Sequence, residues 1–155
     1  EQFSESHEID HYKEFEKGAI GLEIEWNNKD PFFDRDLGSF RSLHNLNAIS
    51  LGIIITRGSS LQTELYEVFK RYFTNIFPFE IEGLKLTTRQ KREILKRLER
   101  SPDDLIEITA KQLYSDKYGE ATTHMRKLED RIQRGLGNPC PLILIGIGKE
   151  RLVGQ

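Results

Sequence analysis

Three carboxylates on two neighbouring stretches are the groups in this chain best suited to chemistry: Asp10 on the first, and Glu23 and Glu25, separated by one residue, on the second. Residues two apart share a face of a strand. Glu23 and Glu25 therefore fall with Ala19 and Gly21, while Ile20, Leu22, Ile24 and Trp26 fall on the opposite face. With Lys17-Gly18 as the tight turn of a hairpin, Asp10 comes opposite Glu25 and Tyr12 opposite Glu23. Directly paired side chains lie about 5 Å apart and diagonal ones about 7–8 Å, which gathers the three acids at one end of one face. Such a cluster is unfavourable without a counter-charge. A hard divalent cation such as Mg²⁺ supplies it, takes carboxylate oxygens, and retains waters for a phosphate ester and an attacking water. Two alternatives stay open: alternating glutamates also line solvated strand faces, and Glu14 rivals Asp10 as the acid of the first stretch.

The elements that must position these acids follow from the pattern. Residues 9–15 and 19–26 read as the arms of the hairpin, joined by Glu16-Lys17-Gly18. Asp30-Pro31 starts a helix, with the carboxylate as cap and Pro at the first helical position. Phe33, Leu37, Phe40, Leu43 and Leu46 form its apolar stripe. Residues 49–56 (ISLGIIIT) are a near-continuous apolar run, suited to a parallel strand buried on both faces. Further helices are expected over residues 61–73, over the basic segment 89–100 with Ile94, Leu95 and Leu98 inward, after Ser101-Pro102-Asp103-Asp104, and over 121–134. Residues 115–119 read as a polar loop, and 142–147 as the last strand. The class is α/β, a mixed sheet flanked by helices.

At 155 residues the chain is expected to form one domain, residues 1–155, and its lack of an initiator Met suggests that upstream residues are missing. Hydrophobic residues make up 37% and charged residues 31%, and mean hydropathy is −0.56. That composition excludes disorder, and no apolar run is long enough to cross a bilayer. Lys and Arg (23) nearly balance Asp and Glu (25), giving a net charge of −2. Whole-chain attraction to polyanions is thereby excluded, though a local basic face is not. Cys140 is the single cysteine, which rules out an intrachain disulfide and fits a reducing, cytoplasmic setting. No secretory signal is visible at the acidic start.

Asp10 followed by the strand Gly21-Leu22-Glu23-Ile24-Glu25-Trp26 resembles the PD-(D/E)xK nuclease core, and more narrowly the BglII/BstYI type of type II restriction endonucleases. The stretches that carry the likeness are GLEIEWNNKDPFFDRDL (21–37), AISLGIIITRG (48–58) and YGEATTHMRKLEDRIQRGLGNPCPLILIGI (118–147). Residues 61–113 stand apart as a helical insertion. The resemblance implies a restriction-endonuclease-like core and a Mg²⁺-dependent enzyme, with Mn²⁺ as a substitute, that cuts double-stranded DNA at a short palindromic site as a homodimer. A cognate DNA methyltransferase would be its functional partner, with no membrane involved. By resemblance Asp10 and Glu23 are metal ligands, joined by the main-chain carbonyl of Ile24. Glu25 stands where most of the superfamily has Lys, an ExE variant as in BamHI, which implies a metal-plus-base role. Asn27, Asn28 and Lys29 fall in a turn near the major groove. Asn can contact adenine with two hydrogen bonds, and Lys can donate to guanine or to phosphate; a turn in which the Asn side chains satisfy local backbone is the plain alternative. Asp116 and Lys117 fall in the place of a second recognition loop.

Other candidates are weaker. Arg57 could reach a phosphate or close a helix-terminal ion pair. The basic segment Arg89, Lys91, Arg92, Lys96, Arg97 and Arg100 is interrupted by Glu93 and Glu99, as in a plain solvated helix. His7, His11, His44 and His124 show no metal-binding spacing. Tyr12, Trp26 and Phe33 read as core. A nuclease fold that binds DNA without cutting it is the alternative function.

Overall fold

The alternating stretch around Glu23 folds as an internal strand. β1 (His11–Phe15) and β2 (Gly18–Glu25) form an antiparallel hairpin, and β2, β3 (Leu51–Arg57) and β4 (Leu142–Ile147) run parallel in the sheet order β1-β2-β3-β4. The computed structural model describes residues 8–153; His7 lies outside them. Parallel neighbours need crossover connections. α1 (Phe32–Asn45) supplies the first, and α2 (Ser59–Asn75), α3 (Thr88–Leu98), α4 (Leu105–Tyr118) and α5 (Met125–Gln133) lie between β3 and β4. The mixed α/β sheet flanked by helices is as expected, and β4 spans the expected residues. Among the described residues no helix is long and apolar enough to cross a membrane.

The hairpin register differs from expectation. Phe15 pairs with Gly18 and Tyr12 with Gly21, so Glu16-Lys17 makes the turn and Gly18, at φ 149°, opens β2. A two-residue loop matches strand twist best, and glycine tolerates that φ. A slip of two residues keeps every side chain on its face. It moves Asp10 from Glu25 to the level of Glu23.

α1 covers one face of the sheet. Its Phe33, Leu37 and Phe40 are fully buried and join Ile49, Ile54, Leu128 and Cys140 in the core. Glycine at 52 permits this approach, because a Cβ there would stand 2.6 Å from the Phe40 ring. Leu46 departs from the expected stripe: it follows the end of α1 and is exposed. Asp30 does not cap the helix, whose N-cap is Pro31; its carboxylate faces Lys127 at 3.6 Å and Arg131 at 3.9 Å on α5. β3 is buried toward α1 through Gly52, Ile54 and Thr56 but only half-buried through Leu51, Ile53 and Ile55. Ile24, Ile143 and Ile145 are exposed on that second face, which corrects the expectation of burial on both sides.

The chain divides into two compact units, residues up to Leu61 with those from Thr122, and Gln62–Ala121. The first holds the sheet, α1 and α5. In the second, Thr87 caps α3 by accepting from Gln90 N–H while the Gln90 side chain accepts from Thr87 N–H. Two free donors of the first turn are thus satisfied together. Ile94 is buried and Leu95 half exposed. Residues 115–118 are not a loop: α4 continues to Tyr118, whose carbonyl accepts from Gln62 Nε2 at 2.7 Å. Polar composition alone does not separate a loop from the last turn of a helix. α5 begins at Met125, and the residues before it run beside the Asn27–Lys29 turn, with a bridge between Lys29 and Thr122.

Candidate functional site

β1 and β2 bring Asp10 and Glu23 together where the hairpin opens. Asp10 N–H donates to Glu23 Oε2 at 3.4 Å, and Asp10 Oδ2 accepts Ile24 N–H at 2.9 Å. The Asp10 carboxylate is thereby fixed over the Glu23–Ile24 peptide. Glu23 is 1% exposed and Asp10 is exposed, so one acid is anchored in the sheet and the other faces solvent. Two carboxylates and the Ile24 carbonyl are hard oxygen donors, the set that suits Mg²⁺.

Glu25 shares the Glu23 face but turns its carboxylate elsewhere. Its Oε2 accepts from Asn28 Nδ2 at 2.8 Å, and its Oε1 faces Arg35 Nη2 at 3.4 Å. The same guanidinium holds Asp36 Oδ1 through Nε at 3.1 Å and Nη2 at 3.0 Å. The expected convergence of three acids is therefore partial: Asp10 meets Glu23, Glu25 turns to Asn28 and Arg35, and the negative charges of both glutamates act on Asp36 or are acted on by it. Among the described residues no group of three or more His, Cys, Asp or Glu is placed to hold a metal ion. Asp36 was not foreseen. It lies three residues after Phe33 and four before Phe40, and an acid on a buried stripe is the signal that could have revealed it.

Burial pushes the Glu25 carboxyl up to about 7; the negative charge of Asp36 adds to this, against the Asn28 hydrogen bond and the Arg35 charge. Burial raises Asp36 as well, with Arg35 opposing. An acid whose pKa is higher folded than unfolded binds protons preferentially in the native state, so its contribution to stability grows as pH falls. The window runs from about 7, the folded value of Glu25, down to its ordinary 4.5. In metal-free buffer, Glu25→Gln is expected to melt above the unmutated chain at pH 8, by on the order of 2 kcal/mol. The gap should narrow as pH falls below 7 and close only below about 4.5. Thermal unfolding across pH checks this, and a gap independent of pH would refute it.

The turn after β2 is exposed at Asn27, Asn28 and Lys29 yet firmly held. Asn28 O accepts Thr123 N–H at 2.8 Å. Arg57, fully buried, donates through Nε to Trp26 O at 2.7 Å and through Nη2 to Thr122 Oγ1 and Thr123 O, each at 2.6 Å. Arg57 ties the turn to the 122–123 segment, a role the sequence did not reveal. Among the three aromatics expected in the core, Phe33 is buried, but Tyr12 is 52% and Trp26 36% exposed. Asp116 and Lys117 lie on α4 in the helical unit, where Asp116 pairs with Arg89 at 3.0 Å. The loop expected there is the last turns of a helix. In α3, Lys91 donates to Glu82 O at 3.0 Å and Arg92 faces Glu93 at 3.7 Å, as in a solvated mixed-charge helix.

Comparison with known proteins gave one match. Residues 1–147 match the family model described as restriction endonuclease BglII/BglIII. Neither the curated proteins nor the solved structures compared gave a match.

Proposed function

Because the chain belongs to the BglII/BglIII family of restriction endonucleases, a family of site-specific deoxyribonucleases, we propose that it is a Mg²⁺-dependent type II enzyme. It hydrolyses both strands of DNA at a short palindromic site and leaves 5′-phosphate ends. The observation that carries this reading is the pairing of Asp10 with Glu23 through reciprocal backbone contacts at 2.9 and 3.4 Å. Asp10, Glu23 and the Ile24 carbonyl would hold the cation, with Mn²⁺ as a substitute. When bound, Mg²⁺ polarises the phosphate and makes water a stronger acid. Glu25, beside this pair and raised toward neutrality, accepts a proton from the attacking water. Attack in line on phosphorus expels the 3′ oxygen. Asn28, with Asn27 and Lys29, reads or grips the DNA from the exposed turn.

A palindrome has a two-fold axis, so one active site per strand implies a homodimer. The chemistry also requires protection of identical sites in the host, which is the work of a cognate methyltransferase. Incubating DNA of known sequence with the protein, with Mg²⁺ or with EDTA, and sequencing the ends tests the proposal. Cleavage at one recurring sequence, dependent on Mg²⁺ and leaving ligatable 5′-phosphate ends, is expected. Sequence-specific binding without cleavage would assign the chain the non-catalytic alternative, and neither binding nor cleavage would overturn the DNA reading.

A further inference from the structure

The contact between Glu25 and Asn28 joins an acid assigned to chemistry with an amide assigned to base reading. Glu25 is 3% exposed and Asn28 is exposed, so the hydrogen bond from Asn28 Nδ2 to Glu25 Oε2 at 2.8 Å runs from the surface inward. It also fixes which way the amide points. With Glu25 ionised, turning the amide over would set its oxygen against a carboxylate oxygen, an arrangement without a donor. One N–H is consumed by Glu25. The second N–H and Oδ1 remain, and this donor–acceptor pair is what a two-bond contact to adenine uses at N7 and the N6 amino group. The rest of the turn is immobilised independently, since Thr123 N–H holds Asn28 O at 2.8 Å. Arg35 holds the other Glu25 oxygen at 3.4 Å, so the acceptor itself is fixed.

We propose that Glu25 is a positioning residue for base reading, orienting the Asn28 amide toward the DNA. The inference rests on the DNA-cleaving reading above and deepens it: the acid placed for chemistry also sets specificity, before any metal is bound. A purely catalytic Glu25 would leave discrimination in metal-free binding untouched. General charge repulsion would change affinity for all DNA equally.

The test measures binding in EDTA of the full chain to the site mapped by end sequencing and to duplexes with single base-pair changes in it. For Glu25→Ala, discrimination at one base pair per half-site is expected to fall about tenfold or more, the scale of losing one well-oriented two-bond contact. Asn28→Ala should lose discrimination at the same base pair, and the double variant should be no worse than either. Glu25→Gln keeps an acceptor oxygen and should retain discrimination. Normal discrimination by Glu25→Ala, loss at a different base pair, or additive losses would overturn the proposal. Should Glu25→Ala fail to fold by thermal unfolding, Glu25→Gln decides, because loss of discrimination there with an intact fold refutes orientation by an acceptor. Absence of specific binding by the unmutated chain would defeat the DNA reading instead, a separate outcome.

Discussion

Glu23→Ala is expected to lower Mg²⁺-dependent DNA cleavage by about 10³-fold or more while site-specific binding survives. Glu23 sits on the internal strand β2, flanked by β1 and β3, and only its side chain is changed. The backbone ladder, with Glu23 paired to Ile54, does not depend on the carboxylate. What is lost is one of two acids at the hairpin opening, the one that Asp10 N–H contacts. A cation held by a single exposed carboxylate and a carbonyl binds more weakly and is poorly oriented. DNA affinity should not fall, because deleting a negative charge near a phosphate reduces repulsion. The measurement pairs plasmid cleavage with binding to the mapped site in EDTA, and thermal unfolding confirms the fold. Full cleavage by Glu23→Ala would remove Glu23 from the active site.

The sequence made the sheet legible because its signals there are redundant. Alternation at 19–26 and apolar runs at 49–56 and 142–147 all point to the same layer. The acids were legible as types and faces, and the PD-(D/E)xK likeness singled out the strand on which Glu23 and Glu25 lie. Their partners were harder to read. Hairpin register depends on which two residues make the turn, and Gly18 can serve either inside it, as in Lys17-Gly18, or directly after it, as with Glu16-Lys17. That choice moved Asp10 between two glutamates. Glu25 turned toward Arg35 and Asn28 because a buried acid takes the nearest donors, and those donors sit on a helix and a turn whose packing no local pattern encodes. The failed reading of 115–119 has the same origin. Arg89, far away in sequence, and Gln62, farther still, satisfy the end of α4, and a window of a few residues contains neither.

The largest effect on stability is expected at Arg57. Its side chain is fully buried, and its guanidinium donates to Trp26 O at 2.7 Å and to Thr122 Oγ1 and Thr123 O at 2.6 Å each. Arg57→Met keeps much of the apolar stem and removes these donors together. Each acceptor left buried without a partner costs about 1–3 kcal/mol. The losses are not independent, since one side chain serves all of them, and about 3–5 kcal/mol is the expected total. For a chain of this length that corresponds to roughly 10 °C in melting temperature. The consequence extends beyond the fold, because Trp26 leads into the Asn27–Lys29 turn and Thr123 N–H holds Asn28 O at 2.8 Å. DNA affinity at temperatures where the variant is folded should therefore fall more than for a substitution of equal cost in the α1 core, such as Leu37→Ala. Thermal unfolding and binding measured on the two variants side by side check both parts. A melting temperature within 2–3 °C of the unmutated chain, a shift worth about 1 kcal/mol or less, would show that water or neighbouring groups satisfy these acceptors. Equal affinity losses in the two variants would show that Arg57 stabilises the sheet unit without setting the turn.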